Sequence, residues 1–304
     1  MSDKFSTANN KHVLNGRSAL VIGGTQGIGM GVAQVLAERG ASVVVAGRNL
    51  HQDGNGTNYS KEKQLQFSKV DLASNVDIKR FAGTFSDEQF DYIVWSAGIF
   101  PSGARRETNE GVELTFQIDY LSKFVGLQLL TPKLKEGGRM VTILSPYVES
   151  LWGRFISQFD VDDLEFKKPK RFEETQAHKM NITLSILTDL LIKRLSEQHP
   201  TKFFSHVHPG QVGSNLLKNS EVPFQTIKEL FAGNQHASIK RTPVEYGEVA
   251  VFLLTDEDIG KKSGAFYDSE VKEIDQSEFE KKISKQDVDK IWEYSKRVSN
   301  TYVI

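Results

Sequence analysis

The stretch Ser18-Ala-Leu-Val-Ile-Gly-Gly-Thr-Gln-Gly-Ile-Gly29 decides the fold. Its first five residues form a short apolar run bounded by glycines, which predicts a buried strand. Apolar residues then recur at the spacing of one helix face, at Ile28, Val32, Val35 and Leu36. The stretch therefore predicts a strand, a tight turn and a helix that ends at Gly40.

The turn between the predicted strand and helix has the composition of a phosphate-binding loop. Glycines permit a tight turn and close approach of a ligand to the backbone, and the helix that follows offers free N–H groups at its N-terminus. The glycine spacing is G-x-x-x-G-x-G. We therefore predict that a nucleotide pyrophosphate binds here, at Gly23, Thr25, Gln26, Gly27, Ile28 and Gly29.

Apolar strands alternate with helical patterns along the rest of the chain. Strands are predicted at 42–46, 67–71, 91–96, 139–144 and 203–207, and helices at about 75–84, 108–131, 175–196 and 243–255. This alternation predicts a central parallel sheet flanked by helices, and right-handed crossovers make the sheet doubly wound.

These elements predict a single doubly wound Rossmann-type α/β domain. It covers residues 17–304, after a flexible N-terminal arm at 1–16. Polar segments at 146–174 and 211–242 are interpreted as substrate-loop insertions, and residues 275–298 as two short C-terminal helices.

Composition excludes several classes of protein. The 304 residues carry 38 Lys and Arg against 39 Asp and Glu, a net charge of −1, so we expect no nucleic-acid partner. No cysteine is present, which excludes disulfides and thiolate metal sites. We expect no membrane span, because apolar runs are far shorter than about 20 residues, and we expect a cytoplasmic location.

The end of the second predicted strand indicates which dinucleotide binds. An NAD site usually has an acidic residue here, on the ribose 2′-hydroxyl. The sequence instead reads Ala46-Gly-Arg-Asn49, with Arg48 and no acid. A guanidinium suits a 2′-phosphate, so the cofactor is predicted to be NADP(H).

These motifs, in this order, resemble the short-chain dehydrogenase/reductase superfamily over residues 17–270. The resemblance implies further cofactor contacts at Asp71, Ala97, Gly98, Pro209, Gly210, Val212 and Ser214, and it implies a catalytic role for Ser145. The insertion after Ser145 resembles the branch that includes retinol dehydrogenases. Members commonly form dimers or tetramers, so the resemblance also admits a homo-oligomer.

The chain departs from the family at the proton donor. The family pattern Tyr-x-x-x-Lys reads Thr175-Gln-Ala-His-Lys179, and Asp119 stands where the family has an asparagine that orders a relay water. Lys179 is expected to bind the cofactor ribose. A threonine hydroxyl is far less acidic than a phenol beside an ammonium group. Tyr147 is a candidate substitute donor, and a packed loop aromatic is its alternative.

Three functions fit these residues. The first is an NADP(H)-dependent oxidoreductase that acts on a small carbonyl or alcohol. The second is a dinucleotide-binding module that senses NADP(H) without turnover, and the third is a non-redox enzyme on the same fold. The pair Ser145 and Lys179 favours the first, whereas Thr175 and Asp119 count against it.

No metal site is predicted. His206 and His208 alternate along a strand and therefore share one face. Because no carboxylate lies near them in the sequence, we interpret them as packed side chains.

Overall fold

The computed structural model describes residues 4–49, 65–101, 104–144, 159–167, 174–213, 216, 240–259, 261–275 and 281–300. The strands of the central sheet are β1 Ser18–Ile22, β2 Ser42–Gly47, β3 Leu65–Lys69, β4 Phe90–Trp95, β5 Leu134–Ile143, β6 Phe203–Val207 and β9 Ala265–Tyr267. Their order in the sheet is β3-β2-β1-β4-β5-β6-β9, and all six strand pairs are parallel. Strands β7 (Gln211–Val212) and β8 (Lys240–Arg241) form a separate parallel pair. The doubly wound α/β prediction is confirmed.

Helices cover both faces of the sheet. They are α1 Lys4–Asn9, α2 Gly27–Glu38, α3 Asn75–Gly83, α4 Leu114–Phe116, α5 Ser122–Leu130, α6 Glu174–Gln198, α7 Pro243–Thr255 and α8 Lys285–Ser299. A π-helical turn at Gln117–Leu121 joins α4 to α5, and a 3₁₀ turn at Thr131–Lys133 follows α5. One apolar core lies under α2 and α7, and a second lies under α3, α5, α6 and α8.

Element boundaries differ from the sequence prediction most at β5, which begins at Leu134 rather than at residue 139, and at the helix predicted at 108–131. Strand β6 matches the predicted 203–207, and α6 extends the predicted 175–196 by one or two residues at each end. The helical pattern at 108–131 begins only at Leu114, because Glu113 caps it by accepting a hydrogen bond from the Phe116 N–H. Within the described part of 275–298, α8 is one helix rather than two.

The prediction of a flexible N-terminal arm is wrong for residues 4–14. These residues include α1, whose Phe5 ring is buried 5.3 Å from the Phe252 ring of α7. The Asn9 amide donates to the carbonyl and the carboxylate of Glu248, both at 2.8 Å. The polar composition suggested an arm, but the segment contains one buried apolar side chain, Phe5, and one buried amide, Asn9.

No helix in the described ranges is long and apolar enough to cross a membrane.

Candidate dinucleotide site

The predicted cofactor residues meet at the edge of the sheet where the parallel strands end. Strand order reverses between β1 and β4, and ligands of doubly wound sheets bind in the crevice at such a switch point. Gly23 follows β1 with a φ of +78°, and a Cβ there would lie 2.4 Å from the Ala97 nitrogen that follows β4. Position 23 must therefore be glycine for the chain after β1 to lie against Ala97, which comes after β4.

The N-terminus of α2 is open toward this crevice. Gln26 occupies the N-cap position in an extended conformation and makes no capping hydrogen bond with its side chain. The Gln26 side chain thus leaves the first turn of α2 uncapped, and the helix dipole favours an anion there. A Cβ at Gly29 would lie 2.3 Å from the carbonyl oxygen of Gly23, so the helix begins directly against the turn. These residues fit a pyrophosphate.

Two further residues predicted to contact the cofactor, Arg48 and Asp71, come after β2 and β3. A Cβ at Gly47 would lie 2.7 Å from Thr25 Oγ1, which places Thr25 beside the end of β2. Arg48 comes next and is exposed. Asp71 follows β3, and its Oδ1 accepts a hydrogen bond of 3.0 Å from the Ala73 N–H. An exposed guanidinium next to the turn fits a 2′-phosphate.

The π-helical turn brings Asp119 to the end of β4. Its Oδ1 accepts a hydrogen bond of 2.8 Å from the Ile99 N–H, and it lies 3.5 Å from where a Cβ of Gly98 would be. Lys123, one turn later and fully buried, donates to the carbonyl oxygens of Asp119 and Ala97. Single π turns often occur at functional sites. The Asp119 carboxylate is thus already hydrogen-bonded to the Ile99 N–H, and the buried ammonium group of Lys123 lies next to Asp119.

Burial shifts the pKa values of this pair in opposite directions. It raises the pKa of Asp119, which the positive charge of Lys123 partly opposes. It lowers the pKa of Lys123, which the carboxylate of Asp119 partly opposes. Each charge therefore stabilises the other in a place where neither would be stable alone.

The remaining predicted site residues lie on α6, after β6, in β7 or outside the described residues. Lys179 is half-buried on α6, and Thr175 lies four residues earlier on the same helix. Pro209 and Gly210 come after β6 and His208, and Val212 lies in β7. Ser145, Tyr147 and Ser214 lie outside the described residues, so their catalytic or binding roles stay predictions.

The end of β4 packs closely on α5. Trp95 is buried, with its ring 2.3 Å from where a Cβ of Gly126 would be. The indole ring is accommodated because α5 has a glycine at the point of contact. Nothing in the local sequence near Trp95 indicates this pairing, which joins β4 to α5.

The structure places a carboxylate beside His206 and His208, although none lies near them in the sequence. Asp189 Oδ1 lies 2.5 Å from His206 Nδ1 and 3.9 Å from His208 Nε2, and all three residues are buried. Burial and the charge of Lys123 lower the pKa of His206 to about 3. Asp189 is 17 residues away in the chain, so only the packing of α6 on β6 brings it to the histidines.

Comparison with known proteins agrees with this geometry. The family model described as short chain dehydrogenase matches residues 17–154, which include the glycine turn, Arg48, Asp71, Ala97 and Ser145. Human retinol dehydrogenase 13 is 23% identical over 266 residues, covering 85% of this chain and 78% of that protein. These findings support a divergent short-chain dehydrogenase/reductase with relatives among the retinol dehydrogenases.

Two further similarities point to the same class of protein. An oxidoreductase of Emericella nidulans is 30% identical over 214 residues, covering 67% of this chain. The matched region spans 60% of that relative's length. The solved structure of a short chain dehydrogenase from Burkholderia cenocepacia, in complex with NADP, superposes with a TM-score of 0.58 at 19% identity. The match covers 84% of this chain and 97% of the Burkholderia protein, and a similarity at this level of identity shows a common fold.

Proposed function

We propose that this chain is an NADP(H)-dependent oxidoreductase of the short-chain dehydrogenase/reductase superfamily that transfers hydride to or from a small carbonyl or alcohol. The observation that carries the proposal is the glycine turn at the uncapped N-terminus of α2, packed against Ala97 at the switch point of the sheet. This arrangement suits a dinucleotide pyrophosphate, and the superfamily uses nicotinamide cofactors for redox chemistry.

Arg48 supports NADP(H) over NAD(H). It is exposed directly after β2, beside the turn that would hold the pyrophosphate. In the proposal its guanidinium binds the 2′-phosphate of the cofactor through charge-assisted hydrogen bonds. The Burkholderia cenocepacia dehydrogenase of the same fold was solved with NADP.

Bound NADPH would supply the hydride, and residues of this chain would hold the reacting groups. Lys179 binds the ribose, and Ser145 donates a hydrogen bond to the substrate oxygen. Reduction of a carbonyl leaves an alkoxide, so a proton donor is also needed, and such donors contribute roughly 10²–10⁴-fold to rates. Thr175 cannot supply that proton as a phenol does. We therefore expect a slow enzyme, or one that uses Tyr147 as donor.

The proposal is tested by following NADPH oxidation with a panel of aldehydes and ketones. We expect oxidation with at least one carbonyl compound, and we expect Lys179→Ala to abolish it by weakening cofactor binding. Lys285→Ala, which removes an exposed lysine at the start of α8, serves as the matched control and should retain the rate. Failure of NADPH to bind to the wild type would exclude the proposed function.

Arg48→Asp should reverse the cofactor preference. Loss of hydrogen bonds to a charged phosphate costs about 1.5–3 kcal/mol, so NADP should bind roughly 10- to 150-fold more weakly, while NAD binds equally well or better. Calorimetric titration of both oxidised cofactors measures this. Lys11→Asp, an exposed site before β1, makes the same change in net charge and should leave both affinities unchanged. Tighter binding of NAD than of NADP to the wild type would contradict the assignment.

A second candidate function is a binding module that senses NADP(H) without turnover. The replacement of the family tyrosine by Thr175 favours it, because this change removes the proton donor and leaves the cofactor cradle intact. Cofactor binding without hydride transfer to any carbonyl of the panel would support this candidate against the enzyme.

A further inference from the structure

Asp189, His206 and His208 form a buried cluster of metal-ligating groups on the face of β6 that α6 covers. Each offers one ligand atom, and these atoms all lie within 4.8 Å of one another. His206 and His208 alternate along the chain at the end of β6, so both imidazoles face the same helix. Their ring centroids are 4.4 Å apart, and Asp189 reaches them from α6. We call these three residues the His–His–Asp cluster.

The cluster lies where an apolar core is expected. Neighbouring positions on α6 and β6 are Ile186, Ile192, Phe204 and Val207, all buried. Polar groups in such a place destabilise the fold by roughly 1–3 kcal/mol each unless they are satisfied. Asp189 and the two imidazoles are three such groups in one buried place, and a cation bound between them would satisfy one ligand atom of each.

The distances fit a shared cation. Zinc binds imidazole nitrogen and carboxylate oxygen at about 2.0–2.2 Å, so two ligands of a tetrahedral site lie about 3.3 Å apart. The two measured separations from Asp189 Oδ1, 2.5 Å to His206 Nδ1 and 3.9 Å to His208 Nε2, lie on either side of that value. Shifts of less than about 1 Å would bring all three atoms to zinc-binding separations.

A polar group is available to hold a fourth ligand. Ser185 lies one helical turn before Asp189 on α6, and residues four apart share a helix face. Its hydroxyl is buried and has no hydrogen-bond partner among the described residues. A water molecule on the metal could accept or donate a hydrogen bond at this hydroxyl.

We propose that the His–His–Asp cluster binds one divalent transition-metal ion of the zinc class. Two imidazoles and a carboxylate are a donor set for zinc and its neighbours rather than for calcium or magnesium, which take oxygen ligands. The ion joins α6, which carries Lys179, to the end of β6, which leads through His208 into Pro209 and Gly210. It thus stabilises two walls of the proposed cofactor site. This proposal is independent of the proposed redox function.

The test uses the full chain expressed in minimal medium supplemented with zinc or cobalt, because a buried ion must be loaded as the protein folds. After dialysis against a chelator, we expect one retained zinc per chain by mass spectrometry of the metal. The cobalt protein should show visible d–d absorption bands of a four-coordinate ion with nitrogen ligands. A wild type that retains neither metal overturns the proposal and assigns the cluster a hydrogen-bonding role only.

Variants locate the ion. His208→Gln and Asp189→Asn should bind zinc at least about tenfold more weakly, since even groups outside the ligand set are worth about 10–100-fold in affinity. His199→Gln, a half-buried histidine outside the cluster, is the matched control and should retain the metal. Equal retention in all three variants overturns the assignment. If the cluster variants do not fold, the melting temperature of the wild type with and without zinc decides, and an unchanged value counts against the site.

Discussion

Replacing Thr175 by tyrosine should raise the rate of carbonyl reduction by roughly 10²–10⁴-fold, the usual contribution of a general acid. Residue 175 lies four positions before Lys179 on α6, and residues at this spacing share a helix face. A phenol there would stand beside the ammonium group, which favours the phenolate and brings the phenol pKa toward the working pH. Single-turnover oxidation of NADPH with an aldehyde in excess measures the rate directly.

Thr175→Phe is the matched control, because it adds the same ring without the hydroxyl. Equal rates in Thr175→Tyr and Thr175→Phe would show that the ring, and not proton donation, changes the site. If Tyr147 already donates the proton, Tyr147→Phe should slow the wild type by a similar factor, and Thr175→Tyr should add little. Absence of hydride transfer in every variant, with cofactor bound, would favour the binding module.

Gly31→Ala should destabilise the fold by roughly 3 kcal/mol, toward the upper end of the overpacking range. A Cβ at Gly31 would lie 1.9 Å from the carbonyl oxygen of Pro243, and a Cβ at Gly247 would lie 2.6 Å from that of Gly31. Helices α2 and α7 therefore touch backbone to backbone, and neither backbone can move aside without separating the helices. The midpoint of urea unfolding measures the change.

Gly83→Ala provides the comparison for the same substitution in another helix. A Cβ at Gly83, near the end of α3, meets no atom within 4 Å. Alanine is there favoured over glycine by up to about 1 kcal/mol through helix propensity. We expect a neutral or slightly higher urea midpoint. A similar loss of stability in both variants would show that the contact between α2 and α7 is not the cause.

Predictions from local patterns succeeded where one segment carries the whole signal. Strand β1 is the run Ser18–Ile22 in both sequence and structure, because a buried parallel strand is a nearly continuous apolar run and Gly23 ends it. The helix start predicted at residue 108 was wrong, because the periodicity of the segment did not decide its conformation. Val112 is buried and fits a helical period, yet the chain from 107 to 113 folds back on itself as a bridge between Glu107 and Glu113.

For the candidate site, the glycine turn, Arg48 and Asp71 could be placed from sequence because each lies at or just after the end of a predicted strand. Parallel strands end at one edge, so such residues converge whatever the details of packing. Lys123 could not be found in this way. It occupies an ordinary helical position in the sequence, and only the π turn and the approach of β4 bring the carbonyls of Asp119 and Ala97 to its ammonium group.

The sequence by itself determined the α/β class, the glycine turn and the position of Thr175 four residues before Lys179, because each depends on residues close together in the chain. Only the tertiary structure decided that α1 packs on α7, that Trp95 fills the space above Gly126, and that Asp189 meets His206 and His208. These are contacts between segments 17 to more than 200 residues apart. Burial and close approach arise from packing in three dimensions, and periodicity along one segment carries no information about its distant partner.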